Sequence, residues 1–308
     1  MKLTYFRVVM ILLVLTLGIG LGTPWVSAQE DMGPRTVMDF MGRPVTIEAP
    51  PQRVVGMSAS INEMLFAIGV TPVGVTAGMD YPPAAADLPT FGSGYQPDLE
   101  ALAALEPDLI IGNGQLNMQI MDKLQAIAPT LMIMTLTPGD VPKNVRTLGQ
   151  ATWHDTEAEY LAQAYDGFLG AMSTVGAAHP EKPSILIIVG TLEVPNYGKS
   201  ETYLGDMAII LGATNIADGN ADQGPFPGYT QLSTEYILDA DPDFVFTVTR
   251  GSDTPMPDSM ADDPIWSSLS AYQNGHVMEL DNRLFVESPG PRFIDAMLQL
   301  HGILYGGM

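Results

Sequence analysis

Residues 99–114 read LEALAALEPDLIIGNG, and residues 234–251 read TEYILDADPDFVFTVTRG. In each stretch a Glu stands seven residues ahead of a Pro-Asp pair, which runs straight into an apolar triplet and, a few residues on, a Gly: Glu100 with Pro107-Asp108, Glu235 with Pro242-Asp243. Positions 100 and 235 lie 135 residues apart with the same internal spacing. A chain that writes one helix-turn-strand unit twice at that distance is expected to fold as two similar lobes. Asp108 and Asp243 sit where a helix has ended at Pro and a buried strand begins, so their carboxylates are expected to bond free backbone N–H groups, a turn role. Glu100 and Glu235 fall at or near the first turn of their helices, where the macrodipole favours a carboxylate. Helix capping accounts for both, and a second role stays open.

The rest of the chain fits that frame. TVMDFMGRPVTIEAPPQRVVGMSAS reads as a hairpin turning at Met41-Gly42 and then a buried strand, Val54 to Met57. A helix with Ile61, Met64, Leu65 and Ile68 at helical spacing follows, stopped by Gly69. A strand over VTPVGVT, the quoted helix and strand, and a third helix-strand unit ending in TLMIMTL complete an α/β lobe. From KPSILIIVG the pattern resumes, through the helix TYLGDMAIILG, the second copy of the motif, a strand HVMEL and a last helix RFIDAMLQLHGILYG. Continuously apolar strands alternating with helices imply mainly parallel sheets covered on both faces. Between Pro142 and Ala178 apolar residues recur at threes and fours with no proline between; as one helix of about 35 residues this spans about 50 Å, a strut between two bodies. The expected organisation is a signal peptide over 1–28, an N-terminal lobe over 29–137, a linking helix over 138–180 and a C-terminal lobe over 181–308.

Composition narrows the function. The chain of 308 residues is 46% hydrophobic, enough for proper cores, and carries a net charge of -22. Nucleic acid is excluded as a partner, because phosphate binding needs a basic face that such a chain does not supply. Lys2 and Arg7, the apolar run VVMILLVLTLGIGLG and the small residues Ser27 and Ala28 have the order of a secretory signal, with cleavage expected after Ala28. There is no cysteine, hence no disulfide and no thiol to carry a lipid. A free, monomeric protein, periplasmic or secreted, is expected.

Taken together, RVVGMSASINEMLFAIGVTPVGVT, PDLEALAALEPDLIIG, the long central helix, YLGDMAIILGATNI, LSTEYILDADPDFVF and GPRFIDAMLQLHGIL resemble the periplasmic substrate-binding proteins of iron-siderophore, haem and vitamin B12 ABC importers, over essentially the whole chain after the signal. The resemblance implies two Rossmann-like α/β lobes, each with a mainly parallel central sheet, joined by one long rigid helix. It also implies a ligand cleft between the lobes and a small hinge motion. One Glu from each lobe, matching Glu100 and Glu235, would bind arginines of the permease dimer. No catalysis and no resident cofactor are implied; the bound ligand would be a ferric chelate.

Ligands of α/β sheets bind beyond the carboxyl ends of the strands. That rule points to the loops at 57–60, 78–81, 93–95, 112–115, 191–197, 226–229, 250 and 287–292. Tyr81, Tyr95, Tyr197 and Tyr229 offer aromatic faces with hydroxyls to a large, partly apolar chelate, with Asn113 and Phe226 beside them in the same set of loops. Arg250 and Arg292 offer bidentate contacts to an anionic ligand, although Arg292 has Glu287 and Asp295 as alternative partners. Vitamin B12 binders carry aromatic residues at the positions of Gly78, Gly94 and Asn113, which disfavours cobalamin. No subfamily signature is complete, so a ferric siderophore of unspecified type is the expected ligand, with haem and cobalamin as alternatives. The histidines, 154, 179, 276 and 301, fall outside the cleft loops, which argues against a metal-ion binder. GMSAS and GKS fail the nucleophile-elbow and phosphate-loop patterns, which argues against an enzyme.

Overall fold

The computed structural model describes residues 32–224, 227–287 and 289–306; the signal segment, its cleavage point and Phe226 lie outside them. The chain enters through a hairpin, β1 (Arg35–Met38) and β2 (Pro44–Ile47), paired antiparallel across the expected turn. The N-terminal lobe then builds β3 (Val54–Gly56), α1 (Ala59–Ala67), α2 (Leu99–Ala104), β4 (Leu109–Asn113), α3 (Met121–Gln125) and β5 (Thr130–Ile133). Its three strands form a parallel sheet in the order β3-β4-β5. The segment VTPVGVT is not a strand of this sheet. Val73 donates its N–H to the Val54 carbonyl and Val75 forms an isolated bridge with Thr90, but the Gly56 N–H and carbonyl that would continue the ladder are both taken by the Asn62 side chain.

The stretch expected to be one long helix is two: α4 (Asp140–Thr152) and α5 (Asp155–Ala178), of 13 and 24 residues. Trp153 between them adopts a left-handed conformation, φ 58°, that an L-residue takes only at a cost. The guanidinium of Arg35 lies 4.5 Å from the Trp153 ring centroid and binds Asp155 at 2.5 Å, so the entry hairpin clamps the corner. Close packing finishes the turn, since a Cβ on Gly149 would stand 2.3 Å from the Ala158 Cβ. The connecting helix, α5, is therefore about 36 Å long. Its far end approaches the C-terminal lobe at Gly176, where a Cβ would lie 2.3 Å from the Ile210 carbonyl oxygen.

The C-terminal lobe comprises β6 (Ser184–Gly190), β7 (Pro195–Gly198), α6 (Tyr203–Ile210), β8 (Thr214–Asn215), β9 (Tyr229–Thr230), α7 (Thr234–Ala240), β10 (Phe244–Thr249), α8 (Met256–Ala261), α9 (Ser270–Gln273), β11 (Val277–Glu279), a π-helical turn Arg283–Glu287 and α10 (Phe293–Tyr305). Its sheet runs β11-β10-β6-β7-β9, with β8 also on β6; β11, β10, β6 and β8 pair in parallel, while β7 pairs antiparallel with both β6 and β9.

Alternation along the strands explains how the two sheets share one interior. Val54, Leu109, Ile111, Ile185, Ile187, Phe244 and Phe246 all enter a single cluster with Ala158, Ala162 and Tyr165 of α5 and Phe293 of α10. Their neighbours face the other way, Val55 and Ile110 into one outer cluster, Leu186, Ile188 and Val245 into another. Each sheet is thus buried on both faces, and the lobes are joined by packing as well as by chain.

The repeated motif makes the same turn twice. Glu106 and Asp241, each just before its Pro, have φ 46° and 37°. Asp108 accepts the Gln52 and Arg53 N–H groups at 2.7 and 2.8 Å, and Asp243 accepts the Ser184 N–H and Oγ–H, both at 2.7 Å. Each carboxylate thereby pins the start of its lobe's first strand, as the turn reading expects.

Candidate ligand cleft

The cleft begins with a helix start. Ser58 caps α1, accepting the Ile61 N–H. Asn62 on the first turn folds back on Gly56, donating to its carbonyl at 2.9 Å and accepting its N–H at 3.1 Å. That arrangement places Glu63 one residue later, 2% exposed, where a carboxylate requires a partner. The partner comes from the other lobe: Arg292 donates Nε and Nη2 to the two Glu63 oxygens at 3.1 and 2.8 Å. The same guanidinium lies 5.1 Å from the Tyr81 ring centroid. Burial pushes the Glu63 carboxyl above its ordinary value, and the hydrogen bond and charge of Arg292 pull it part of the way back.

Two cavities meet at this pair. One, of about 300 Å³, is lined from the N-terminal lobe by Ser58, Ala59, residues 76–80, residues 93–95 and Leu116, and from the C-terminal lobe by Arg283, Glu287 and Arg292. The other, of about 460 Å³, lies between Phe66 and Ala67 of α1, Tyr81, Tyr165 of α5 and Ile294 of α10. Glu63 and Arg292 line both. The first cavity takes in residues of four loops that the strand-end rule selects, 57–60, 78–81, 93–95 and 287–292, and none from 112–115, 191–197, 226–229 or 250; the second sits against the connecting helix and is the more apolar. Two further ion pairs stand at the first cavity. Arg283 binds Asp80 across the cleft, and Arg250 approaches Glu287 at 3.4 Å within the C-terminal lobe. Every arginine at the cleft is thus matched by a carboxylate.

The residues singled out from sequence divide. Tyr95 lines the first cavity and is exposed. Tyr229 is partly buried on β9, and burial pushes its hydroxyl up while the charge of Arg250 pulls it back. Arg292 is at the cleft, but bound to Glu63 rather than to Glu287 or Asp295. Tyr81 supports Arg292 and lines the second cavity instead of the first. Asn113 uses its side-chain oxygen on the Gln115 and Leu116 N–H groups, shaping the turn after β4. Tyr197 is a correction: it is 4% exposed and packs in the outer core of the C-terminal lobe, burial pushing its hydroxyl up to about 12. On β7 it alternates into the sheet's packed face, so the loop position inferred for it does not exist. Sequence reasoning missed Glu63 and Arg283. An acid between Ile61 and Met64 on a helix with a buried stripe was the available signal; Arg283 carried none beyond the scarcity of arginine.

Glu100 and Glu235 occupy the second position of α2 and α7, both exposed and in no ion pair among the described residues. The capping is done by other residues: Asp98 accepts the Glu100 and Ala101 N–H groups, and Ser233 accepts that of Tyr236. Among the described residues no group of three His, Cys, Asp or Glu side chains comes together to hold a metal ion.

A family model described as periplasmic binding protein matches residues 54–284. The chain is 25% identical over 264 residues to the Fe(3+)-citrate-binding protein YfmC of Bacillus subtilis (strain 168), covering 82% of this chain and 80% of that one. It is 26% identical over 280 residues to a cobalamin-binding protein of Halobacterium salinarum (strain ATCC 29341 / DSM 671 / R1), covering 87% and 73%. Among solved structures it is similar in fold to the siderophore binding protein BauB bound to acinetobactin and ferric iron, with a TM-score of 0.74 at 22% identity, covering 89% of this chain and 100% of that one.

Proposed function

This chain belongs to the periplasmic binding protein family, as a substrate-binding protein of the ABC importers for iron-siderophore, haem or B12; on that premise we propose that its ligand is an anionic ferric siderophore. The observation that carries the choice is the make-up of the cleft. Arginines from one lobe stand over carboxylates, hydroxyls and a single tyrosine from the other. Guanidinium forks match carboxylate or catecholate oxygens, whereas a flat macrocycle such as haem asks for broad apolar walls. The volume of about 300 Å³ is at the small end for ligand sites, which supports a compact chelate. Arg250, Tyr95 and Tyr229 are the contacts we assign to it from the mouth and Arg292 from the floor, with Tyr81 backing that guanidinium from the second cavity. Phe226 is kept as a proposed contact on the sequence alone, and Asn113 supports the site through the turn after β4.

Native mass spectrometry of the purified protein against ferric citrate, ferric hydroxamate and catecholate chelates, haem and cyanocobalamin tests this. One-to-one capture of an anionic ferric chelate is expected; retention of haem or cobalamin alone, or conversion of any ligand to product, overturns the assignment.

Delivery is proposed to run through Glu100 and Glu235, equivalent carboxylates suited to the two equivalent halves of a permease. The double substitution Glu100→Ala, Glu235→Ala is expected to bind chelate as the parent does and to lose uptake in cells. A collapse of ligand affinity instead would show that these carboxylates serve the cleft. Export with cleavage after Ala28, and action as a monomer, complete the proposal; the N-terminal residue of the processed protein checks the first.

A further inference from the structure

The two ion pairs that cross the cleft are built very differently. Glu63 is buried, gives both oxygens to Arg292, and the guanidinium is backed by Tyr81. Asp80 and Arg283 keep 62% and 49% of their side-chain surface exposed, and a single guanidinium nitrogen, Nη1, joins them. An exposed pair of that kind is worth little, because water and salt screen it and two mobile side chains must be held still. Separating the buried pair leaves an uncompensated charge out of water and costs far more. An incoming anion can therefore take Arg283 from Asp80, but not Arg292 from Glu63.

We infer that Asp80 is a stand-in for the ligand: it holds Arg283 across the cleft and yields that guanidinium to an oxygen of the anionic chelate. The inference rests on the reading of the cleft as a chelate site and adds a specificity residue to it. Binding then exchanges one ion pair for another, so the Coulombic gain is small and the site discriminates by how well the ligand outcompetes a single carboxylate. Glu63–Arg292 stays closed throughout and serves as the fixed floor. A weakly charged ligand leaves Asp80 in place and finds the mouth partly shut.

The test is a titration of the purified protein by intrinsic fluorescence, with ferric citrate as the anionic probe and a neutral ferric trihydroxamate as the control, at low and high salt. Asp80→Asn is expected to bind ferric citrate about five-fold more tightly, the worth of one exposed ion pair. Because the freed guanidinium now adds a net attraction, the affinity of this variant falls more steeply with salt than that of the parent. The gain shrinks for the neutral chelate and disappears in the Asp80→Asn, Arg283→Gln double variant. Unchanged or weaker ferric citrate binding by Asp80→Asn overturns the inference, as does a gain that survives in the double variant, which would mark Asp80 as a simple repulsive charge. A parent protein that captures neither probe nor any other ferric chelate removes the functional reading itself; capture with no effect at Asp80 removes only the stand-in role.

Discussion

The two lobes agree at one edge and differ at the other. Where their strands begin, both place a left-handed residue, a proline and an aspartate whose carboxylate pins the first strand. Beyond the ends of the strands, where the ligand loops are, the N-terminal lobe supplies Glu63 and Asp80 and the C-terminal lobe supplies Arg250, Arg283 and Arg292. The sheets differ as well, three parallel strands against six with antiparallel additions. The turn at the strand starts is thus common to both lobes, while their sheets and the charges of their cleft loops differ. The outcome is a cleft crossed by two ion pairs, each with its acid from the N-terminal lobe and its base from the C-terminal lobe.

The largest expected effect tests that complementarity. Arg292→Leu strands the Glu63 carboxylate in the interior and should lower stability by about 3 kcal/mol at neutral pH, whereas Arg283→Leu should cost less than about 1 kcal/mol. Denaturant melts measure both, and equal losses would erase the distinction between floor and mouth. The pH dependence has a definite sign. Glu63 already binds its proton more tightly than its ordinary value of 4.5 allows, through burial, and without Arg292 burial acts unopposed. The folded variant then takes up a proton at a pH where the unfolded chain does not. Its deficit is greatest at neutral pH and shrinks as pH falls toward 4.5.

A smaller effect tests the equivalence of the lobes. Asp108→Ala and Asp243→Ala each strip a strand start of two hydrogen bonds and should each cost about 1–3 kcal/mol; a gap between them wider than that range would mean that one turn matters to folding and the other does not. The smallest effect separates the two left-handed residues. Glu106→Gly relieves its backbone and should stabilise by up to about 1 kcal/mol. Asp241→Gly should give no such gain, because the Asp241 carboxylate also binds the Ser270 N–H and Oγ–H at 2.8 and 2.6 Å. Thermal melts of the two variants side by side show whether the positions differ as stated.

Much of the architecture was readable before any coordinates. Strand alternation, helix spacing and the repeated Pro-Asp turn are local patterns, each set by which face of a short element must be buried, and they place the two lobes, their mainly parallel sheets and the loops that frame the cleft. The connecting helix was readable in its position but not in its length. Nothing between Thr152 and Asp155 is proline or glycine, and the break depends on Arg35, more than a hundred residues earlier, stacking on Trp153. Tyr197 misled because a short antiparallel strand, β7, occupies what reads as a loop. The pairing of Glu63 with Arg292 spans 229 positions. Their charges are evident in the sequence, but whether two distant charges meet, and whether water reaches them, is decided only when the lobes close against the same core, since Coulomb energy and desolvation depend on separation in space and not along the chain.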